Sequence, residues 1–158
     1  MTAGFEIVER APTVEEYQML RREVGWPEVE TAVVGRGLAA SLYSVCLLHD
    51  GEVVGCGRVV GDGGIYLYIQ DIIVLPAYQR QGWGRRIMEA MMAYVASKAG
   101  RNTFVGLNAA EGVAPFYYRY GFAERPPGRP GMFRIWSGQE SAEQTECLKA
   151  VEKPVETG

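Results

Sequence analysis

Residues 69–88 read IQDIIVLPAYQRQGWGRRIM and decide the fold. An apolar strand runs to Val74, and Pro76 ends it because proline cannot continue a hydrogen-bonded ladder. A polar loop follows, and apolar residues at helical spacing then predict a helix from Gly84 to about Ala99. A strand, a glycine-containing turn and a helix N-terminus together form an anion site, because the first helical N–H groups have no partner within the helix.

Positive charge surrounds this turn. The helix dipole contributes about half a positive charge, and Arg80, Arg85 and Arg86 contribute full charges. A planar guanidinium can bind two phosphate oxygens at once, so the turn predicts a ligand that carries a pyrophosphate. Two nucleotide folds match poorly: no Gly-Lys-Ser/Thr follows, as a P-loop requires, and Ile87 stands where a dinucleotide-binding turn has its third glycine.

The composition is that of a globular protein. The chain has 158 residues, of which 47% are hydrophobic and 22% charged, enough for one domain with a substantial core. The net charge is −3, and the segment from Ser137 onward carries five Glu and two Lys, so residues 1–136 are neutral. A neutral body argues against nucleic acid as a partner, since non-specific binding needs a broad basic face.

Several other classes are disfavoured by simple patterns. No apolar run of about 18 residues is present, and Met1–Arg10 has no signal-peptide pattern, so we expect no membrane partner. Three cysteines at unrelated spacings predict neither a disulfide framework nor a metal site. This cysteine usage favours a reducing, cytoplasmic location.

The chain as a whole predicts a mixed α/β protein. The expected element order is β, α, α, β, β, β, α, β, α, β, β, which gives a mixed sheet of about seven strands with helices on both faces. Thr13–Glu16 has the pattern of a capping box at the start of the first helix. The apolar and aromatic run from Ile65 to Val74 predicts a central strand buried on both faces. A helical crossover then predicts that a strand at Thr103–Leu107 runs parallel to it.

The C-terminal part of the chain is expected to close the sheet. A short aromatic helix is predicted at Gly112–Tyr120, followed by strands at Phe122–Arg125 and Met132–Trp136. We expect a single domain over residues 1–136. Residues 137–158 are rich in Glu, Ser and Thr and predict a flexible acidic tail.

Two stretches carry a resemblance to a known family. Gln79–Gly84 (QRQGWG) is similar to a Gln/Arg-x-x-Gly-x-Gly/Ala motif for acetyl-CoA, placed after a strand and before a helix. Pro115–Phe122 (PFYYRYGF) is similar to a closing Phe-Tyr-x-x-x-Gly-Phe signature. Either motif alone is weak. Together, in this order and with these elements between them, they resemble the GNAT superfamily of acyl-CoA-dependent N-acetyltransferases, over roughly Phe5 to Trp136.

The resemblance implies a GNAT fold and acetyl-CoA as co-substrate. The turn would bind the pyrophosphate, and the preceding strand would pair with the pantetheine arm like an added strand. Backbone N–H groups at Ile72 and Ile73 would polarise the thioester carbonyl. Many members have Asn where this chain has Ala110, and Asn108 is a possible substitute. The implied cofactor-binding residues are Ile72, Ile73, Val74, Gln79, Arg80, Gln81, Gly82, Trp83, Gly84, Arg85 and Asn108.

Tyr117 is the candidate general acid. In the family, the Tyr of the Phe-Tyr pair protonates the leaving CoA thiolate, and a phenol with a pKa of about 10 suits that role. The alternative is that Tyr117 is a packing residue, since the same segment also carries Phe116, Tyr118 and Tyr120.

Asp71 is the candidate general base. It is the only acid within the predicted central strand, where a carboxylate suits proton uptake from an ammonium group or anchoring of that group. The alternative is a structural carboxylate that accepts hydrogen bonds from the backbone or a tyrosine. Glu111 is a second acidic candidate, and a bound water can replace either.

The expected activity is acetyl transfer from acetyl-CoA to a primary amine by direct attack in a ternary complex. The acceptor is a small-molecule or peptide amine, with Trp26, Tyr66 and Tyr68 as possible walls of its pocket. A non-catalytic acyl-CoA-binding module and an acyltransferase with a longer acyl donor remain alternatives. The sequence leaves a homodimer open.

Overall fold

Five strands form one sheet in the computed structural model, which describes residues 4–138. The strands lie in the order in which they occur in the chain: the first four are antiparallel, and the fifth pairs with the fourth in parallel. The elements are β1 (Phe5–Val8), α1 (Val14–Glu23), α2 (Thr31–Ala39), β2 (Tyr43–His49), β3 (Glu52–Gly61), β4 (Tyr66–Val74), a 3-10 turn (Pro76–Tyr78), α3 (Trp83–Lys98), β5 (Phe104–Gly106) and α4 (Ala114–Tyr118).

The predicted capping box starts α1. The Thr13 side chain accepts a hydrogen bond from the backbone N–H of Glu16, and the Glu16 carboxylate accepts one from the backbone N–H of Thr13 at 2.8 Å. Arg10 donates to the same carboxylate at 2.8 Å. Two helical N–H groups that would otherwise lack partners are thus satisfied, and the helix begins where the sequence predicts.

Helices cover both faces of the sheet, as predicted. Alternate residues of a strand point to opposite faces. On one face Val45, Leu47, Val54 and Leu67 pack with Ile87, Met88 and Met91 of α3. On the other face Leu20 of α1 packs with Cys46, Val53, Cys56 and Ile73. The mixed α/β class is therefore confirmed, with β2, β3 and β4 between the two helical layers.

A β-bulge interrupts β4 at Asp71. Cys56 of β3 pairs with Ile73, but Arg58 pairs with Gln70, so two residues of β4 lie opposite Gly57. The backbone of Asp71 is left-handed, with φ 53°, as expected for a bulge. A Cβ atom on Gly57 would lie 2.6 Å from Ile87 Cγ2, so the strand opposite the bulge requires glycine.

Two sequence predictions about the sheet are wrong. The sheet has five strands and not about seven, because the described residues after α4 contain no strand at Phe122–Arg125 or Met132–Trp136. A short strand needs hydrogen bonds from a partner, and the side chains of Met132, Phe133 and Ile135 are more than 80% exposed. The strand predicted to be buried on both faces, β4, instead exposes Tyr66 and Tyr68.

The chain divides into two compact units, residues 1–122 and 123–158. In the described part of the second unit, residues 123–138, the Arg125 guanidinium donates to the carbonyl of Arg129 at 3.0 Å, and Arg134 lies over the ring of Trp136. The predicted tail falls almost wholly outside the described residues, and the domain boundary at residue 136 stays a prediction. No helix in the described part of the chain is long and apolar enough to span a membrane.

Candidate active site

β4 and β5 separate near the middle of the sheet. Parallel pairing joins only Tyr66–Tyr68 with Phe104–Gly106. Among residues 4–138, no strand pairs with Ile69–Val74 on that side. This part of β4 therefore presents backbone N–H and C=O groups along an open edge, where an extended chain can add as a further strand.

The open edge leads directly into the glycine turn. Gln79 Nε2 donates to the carbonyl of Val74 at 2.9 Å, which ties the turn to the end of β4. Arg80 and Gly82 both have positive φ, 61° and 87°. Gly82 is the N-cap of α3 and provides no side-chain cap. The first N–H groups of α3 are therefore available to an anion, as the sequence predicts.

A pocket of about 790 Å³ joins the open edge of β4 to the turn. Arginines enter it from two elements, Arg80 and Arg85 beside the turn and Arg119 after α4. Arg85 is also paired with Glu89 at 3.2 Å. Ten of the predicted site residues line the pocket: Ile72, Ile73, Val74, Gln79, Arg80, Gly82, Trp83, Gly84, Arg85 and Tyr117.

Tyr117 lies in α4 and lines the same pocket. Its ring is 9% exposed and packs edge-on against Phe116, with ring centroids 5.0 Å apart. Burial, with a smaller contribution from Tyr120, raises the pKa of Tyr117. A phenol with a raised pKa keeps its proton at neutral pH, so this side chain is able to donate one.

Asp71 lies at the bulge, and its carboxylate has two partners. Its Oδ2 atom accepts from Arg58 Nε at 2.8 Å and from the Tyr17 hydroxyl at 3.0 Å. The Asp71 and Arg58 side chains are only 10% and 13% exposed. Asp71 is not among the residues that line the pocket. These contacts are those of the structural alternative considered for this carboxylate.

Two other predicted residues also lie outside the pocket lining. Gln81 is exposed, and its side chain donates to the carbonyl of Ala77 at 3.4 Å. Asn108 is exposed in the irregular segment after β5, whereas Ala110 lines the pocket. The structure thus brings the turn and the β4 edge together but leaves Asn108 apart from them.

The sequence missed several lining residues. Arg119 reads as an ordinary polar helix residue, and Val24 and Val113 read as core, since nothing in their local pattern marks a pocket. Trp26, weighed as a possible wall of the acceptor pocket, lines it, and Tyr66 and Tyr68 do not. Among residues 4–138, no group of His, Cys, Asp and Glu side chains is placed to hold a metal ion.

An aromatic cluster supports the turn from the far end of the sheet. Phe5 of β1 lies between His49 and Trp83, with ring centroids 4.2 Å and 4.4 Å away. His49 Nδ1 lies 3.2 Å from the hydroxyl of Tyr78, which belongs to the 3-10 turn. The expectation that His49 is a solvated loop residue is therefore wrong: it ends β2 and is half-buried against the turn.

Comparison with known proteins identifies the family. The model of the acetyltransferase (GNAT) domain matches residues 29–124. The chain belongs to the GNAT family. The GNAT resemblance drawn from the two motifs is confirmed.

Relatives of this GNAT chain carry related names. Histone acetyltransferase TAP1 of Glycine max is 30% identical over 131 residues, which cover 76% of this chain and 56% of that protein. The chain spans about half the length of the curated relatives it matches, with shares of 56%, 54% and 48%.

Solved GNAT structures share the fold. A probable acetyltransferase of unknown function, SA2161 from meticillin-resistant Staphylococcus aureus, has a TM-score of 0.79 and 32% identity, covering 84% of this chain and 99% of that chain. Aminoglycoside N-acetyltransferase AAC(6')-Iy, solved in complex with CoA, has a TM-score of 0.60 and 17% identity, covering 85% and 98%. At that identity the second likeness concerns the fold alone.

Proposed function

We propose that this GNAT protein transfers an acetyl group from acetyl-CoA to a primary amine. One observation carries the proposal: a single pocket contains the open edge of β4, the N-terminus of α3 and the buried phenol of Tyr117. These three features supply a site for an extended chain, a site for an anion and a proton donor. Their combination suits a thioester that is carried on a long phosphorylated arm.

The residues of the pocket fit acetyl-CoA. The N–H groups at the start of α3 and the side chains of Arg80 and Arg85 match a pyrophosphate, since both the helix dipole and the guanidinium groups favour negative charge. The unpaired backbone of Ile72–Val74 matches the amide groups of the pantetheine arm. Arg119 adds a third positive charge to the same pocket.

The reaction needs no covalent enzyme intermediate. A neutral amine nitrogen attacks the carbonyl carbon of the thioester, the new N–C bond forms and the C–S bond breaks. The Tyr117 hydroxyl donates its proton to the departing sulfur, and the surplus proton of the amine passes to water. Backbone N–H groups at the β4 bulge stabilise the negative charge that develops on the carbonyl oxygen.

An amine screen tests this proposal. Small-molecule amines and peptides with free N-termini or lysines are incubated with acetyl-CoA, and release of the CoA thiol is measured. We expect thiol release with at least one class of amine, together with acetylated product. Binding of acetyl-CoA without transfer to any amine would contradict the enzyme and indicate a binding module.

The acyl donor is tested in the same assay. Acetyl-, butyryl- and octanoyl-CoA are compared with the best amine, and we expect kcat/KM to fall as the chain lengthens. A higher kcat/KM with octanoyl-CoA would identify an acyltransferase for longer chains.

A further inference from the structure

The bulge in β4 determines which groups face the pocket. Before it, Leu67 and Ile69 point toward α3; after it, Ile73 points toward α1, while Ile72 and Val74 pack on the α3 side. Both Ile72 and Ile73 line the pocket. The extra residue of the bulge thus turns the end of β4, where the thioester is proposed to lie, relative to the rest of the strand.

A buried cluster holds this bulge. The Asp71 carboxylate accepts hydrogen bonds from Arg58 of β3 and Tyr17 of α1, and the carbonyl of Asp71 accepts from the thiol of Cys56 at 3.3 Å. Arg58 also donates to Ser41 Oγ at 2.8 Å. Both the backbone and the side chain at the bulge are therefore fixed by neighbouring elements.

The same cluster reaches the segment that borders the pocket between α1 and α2. The Tyr17 hydroxyl accepts from Arg21 Nη1 at 3.2 Å, and Arg21 Nε donates to the carbonyl of Pro27 at 2.8 Å. The Arg21 guanidinium lies 5.5 Å from the ring of Trp26, which lines the pocket. A continuous set of contacts thus joins the β4 bulge to one wall of the pocket.

We propose that Asp71 is a positioning residue: together with Arg58 and Tyr17 it clamps the bulge so that the backbone N–H groups there meet the thioester carbonyl. This inference rests on the proposed acetyl transfer. Asp71 does not take up the proton of the amine, since one of its oxygens is shared by a guanidinium and a phenol and the side chain does not line the pocket.

The first test separates positioning from base catalysis. Asp71→Asn keeps the size and a hydrogen-bond acceptor but cannot act as a base. We expect kcat to fall by less than about tenfold and the pH profile of kcat/KM to keep its shape, because loss of a general base costs about 10²-fold to 10⁴-fold. A loss of 10²-fold or more together with the acidic limb of the pH profile would overturn the inference and make Asp71 the base.

The second test uses a milder change with a matched control. Tyr17→Phe removes only the hydroxyl that donates to Asp71, and Tyr43→Phe removes a hydroxyl that donates to Glu9 at 2.8 Å outside the pocket. We expect Tyr17→Phe to lower kcat with no change in KM for acetyl-CoA, and Tyr43→Phe to leave kcat unchanged. Equal kcat in the two variants would overturn the clamp.

The third test does not depend on turnover. If the bulge binds the thioester carbonyl, the wild type binds acetyl-CoA more tightly than CoA, by about fivefold for one net hydrogen bond. Asp71→Ala should abolish that ratio, measured by calorimetry, while CoA itself still binds. A preserved ratio in Asp71→Ala would overturn the inference alone, whereas a wild type that shows the ratio but transfers no acetyl group would overturn only the proposed enzyme.

Discussion

At the scale of single residues, the two candidate proton-transfer groups stand in different surroundings. Tyr117 lines the pocket and is partnered only by aromatic rings among the contacts described. Asp71 is engaged by a guanidinium and a phenol. Sequence position alone could not separate them, because the partners of Asp71 lie 13 and 54 residues away in the chain.

Replacing Tyr117 with Phe should remove the proton donor and little else. We expect kcat to fall by about 10²-fold to 10⁴-fold, the range of a lost general acid, with KM for acetyl-CoA nearly unchanged. Steady-state thiol release measures both. Tyr118→Phe is the matched control on the same helix, since Tyr118 does not line the pocket. A kcat equal to that of the wild type would exclude Tyr117 as the acid.

At the scale of elements, the start of α3 and its surroundings form the anion site. The sequence predicted this turn well, because glycines and an apolar helix pattern are local signals. It did not predict the support from β1 and β2, since stacking of Phe5 between His49 and Trp83 depends on how distant strands pair. The two missing strands were also local predictions without a partner.

A side chain at Gly84 should block the anion site without disturbing the fold. A Cβ there meets nothing within 4 Å, so Gly84→Val is tolerated but places methyl groups at the pocket rim. At a concentration of 100 times Kd, acetyl-CoA should stabilise the wild type by about 2.7 kcal/mol, and this variant much less. Thermal unfolding with and without acetyl-CoA measures the shift. Gly100→Val, another open position outside the pocket, should keep it.

His49→Ala should loosen the turn from the sheet. The substitution removes a stacked ring and the contact with Tyr78. We expect KM for acetyl-CoA to rise about threefold to tenfold, the equivalent of one aromatic pair, with kcat unchanged. Tyr94→Ala serves as the control, because it removes a comparable stack with Tyr43 outside the pocket. A similar rise in both variants would show that the effect is general loosening.

At the scale of the whole molecule, the layered sheet was predictable and its edges were not. Alternating apolar residues and capping signals locate the two helical layers, which α1 and α3 then form. The point at which β4 and β5 separate depends on β5 being only three residues long. No local pattern between Thr103 and Leu107 signals that length, so the extent of the gap could not be read from the sequence.

The stability of the protein should fall at alkaline pH. Burial raises the pKa of Cys46 from 9.0 to about 11, and burial with the Glu9 contact raises that of Tyr43 from 10.0 to about 12. Above pH 9 the unfolded thiol loses its proton while the folded one keeps it, so the unfolded state binds fewer protons and the free energy of unfolding decreases as pH rises.

Urea unfolding under reducing conditions at several values between pH 8 and pH 11 tests this. We expect the unfolding midpoint to be constant below pH 9 and to fall above it. Cys46→Ala should lower stability throughout, since Cys46 is fully buried, but should flatten the decline. An equally steep decline in that variant would assign the effect to other groups.

The bulge at Asp71 also has a consequence for comparing this chain with its relatives. The alternation of inward and outward side chains changes phase there, so β4 consists of two segments whose odd and even positions have opposite meanings. Deleting one residue at the bulge would send Ile72 and Val74 to the layer of α1 and Ile73 to the layer of α3. Deleting one residue in the loop at 62–64 would leave every facing direction in β4 intact. A gap of one residue placed in the wrong half of this strand therefore exchanges its two faces in an alignment, even when the neighbouring motif is matched correctly.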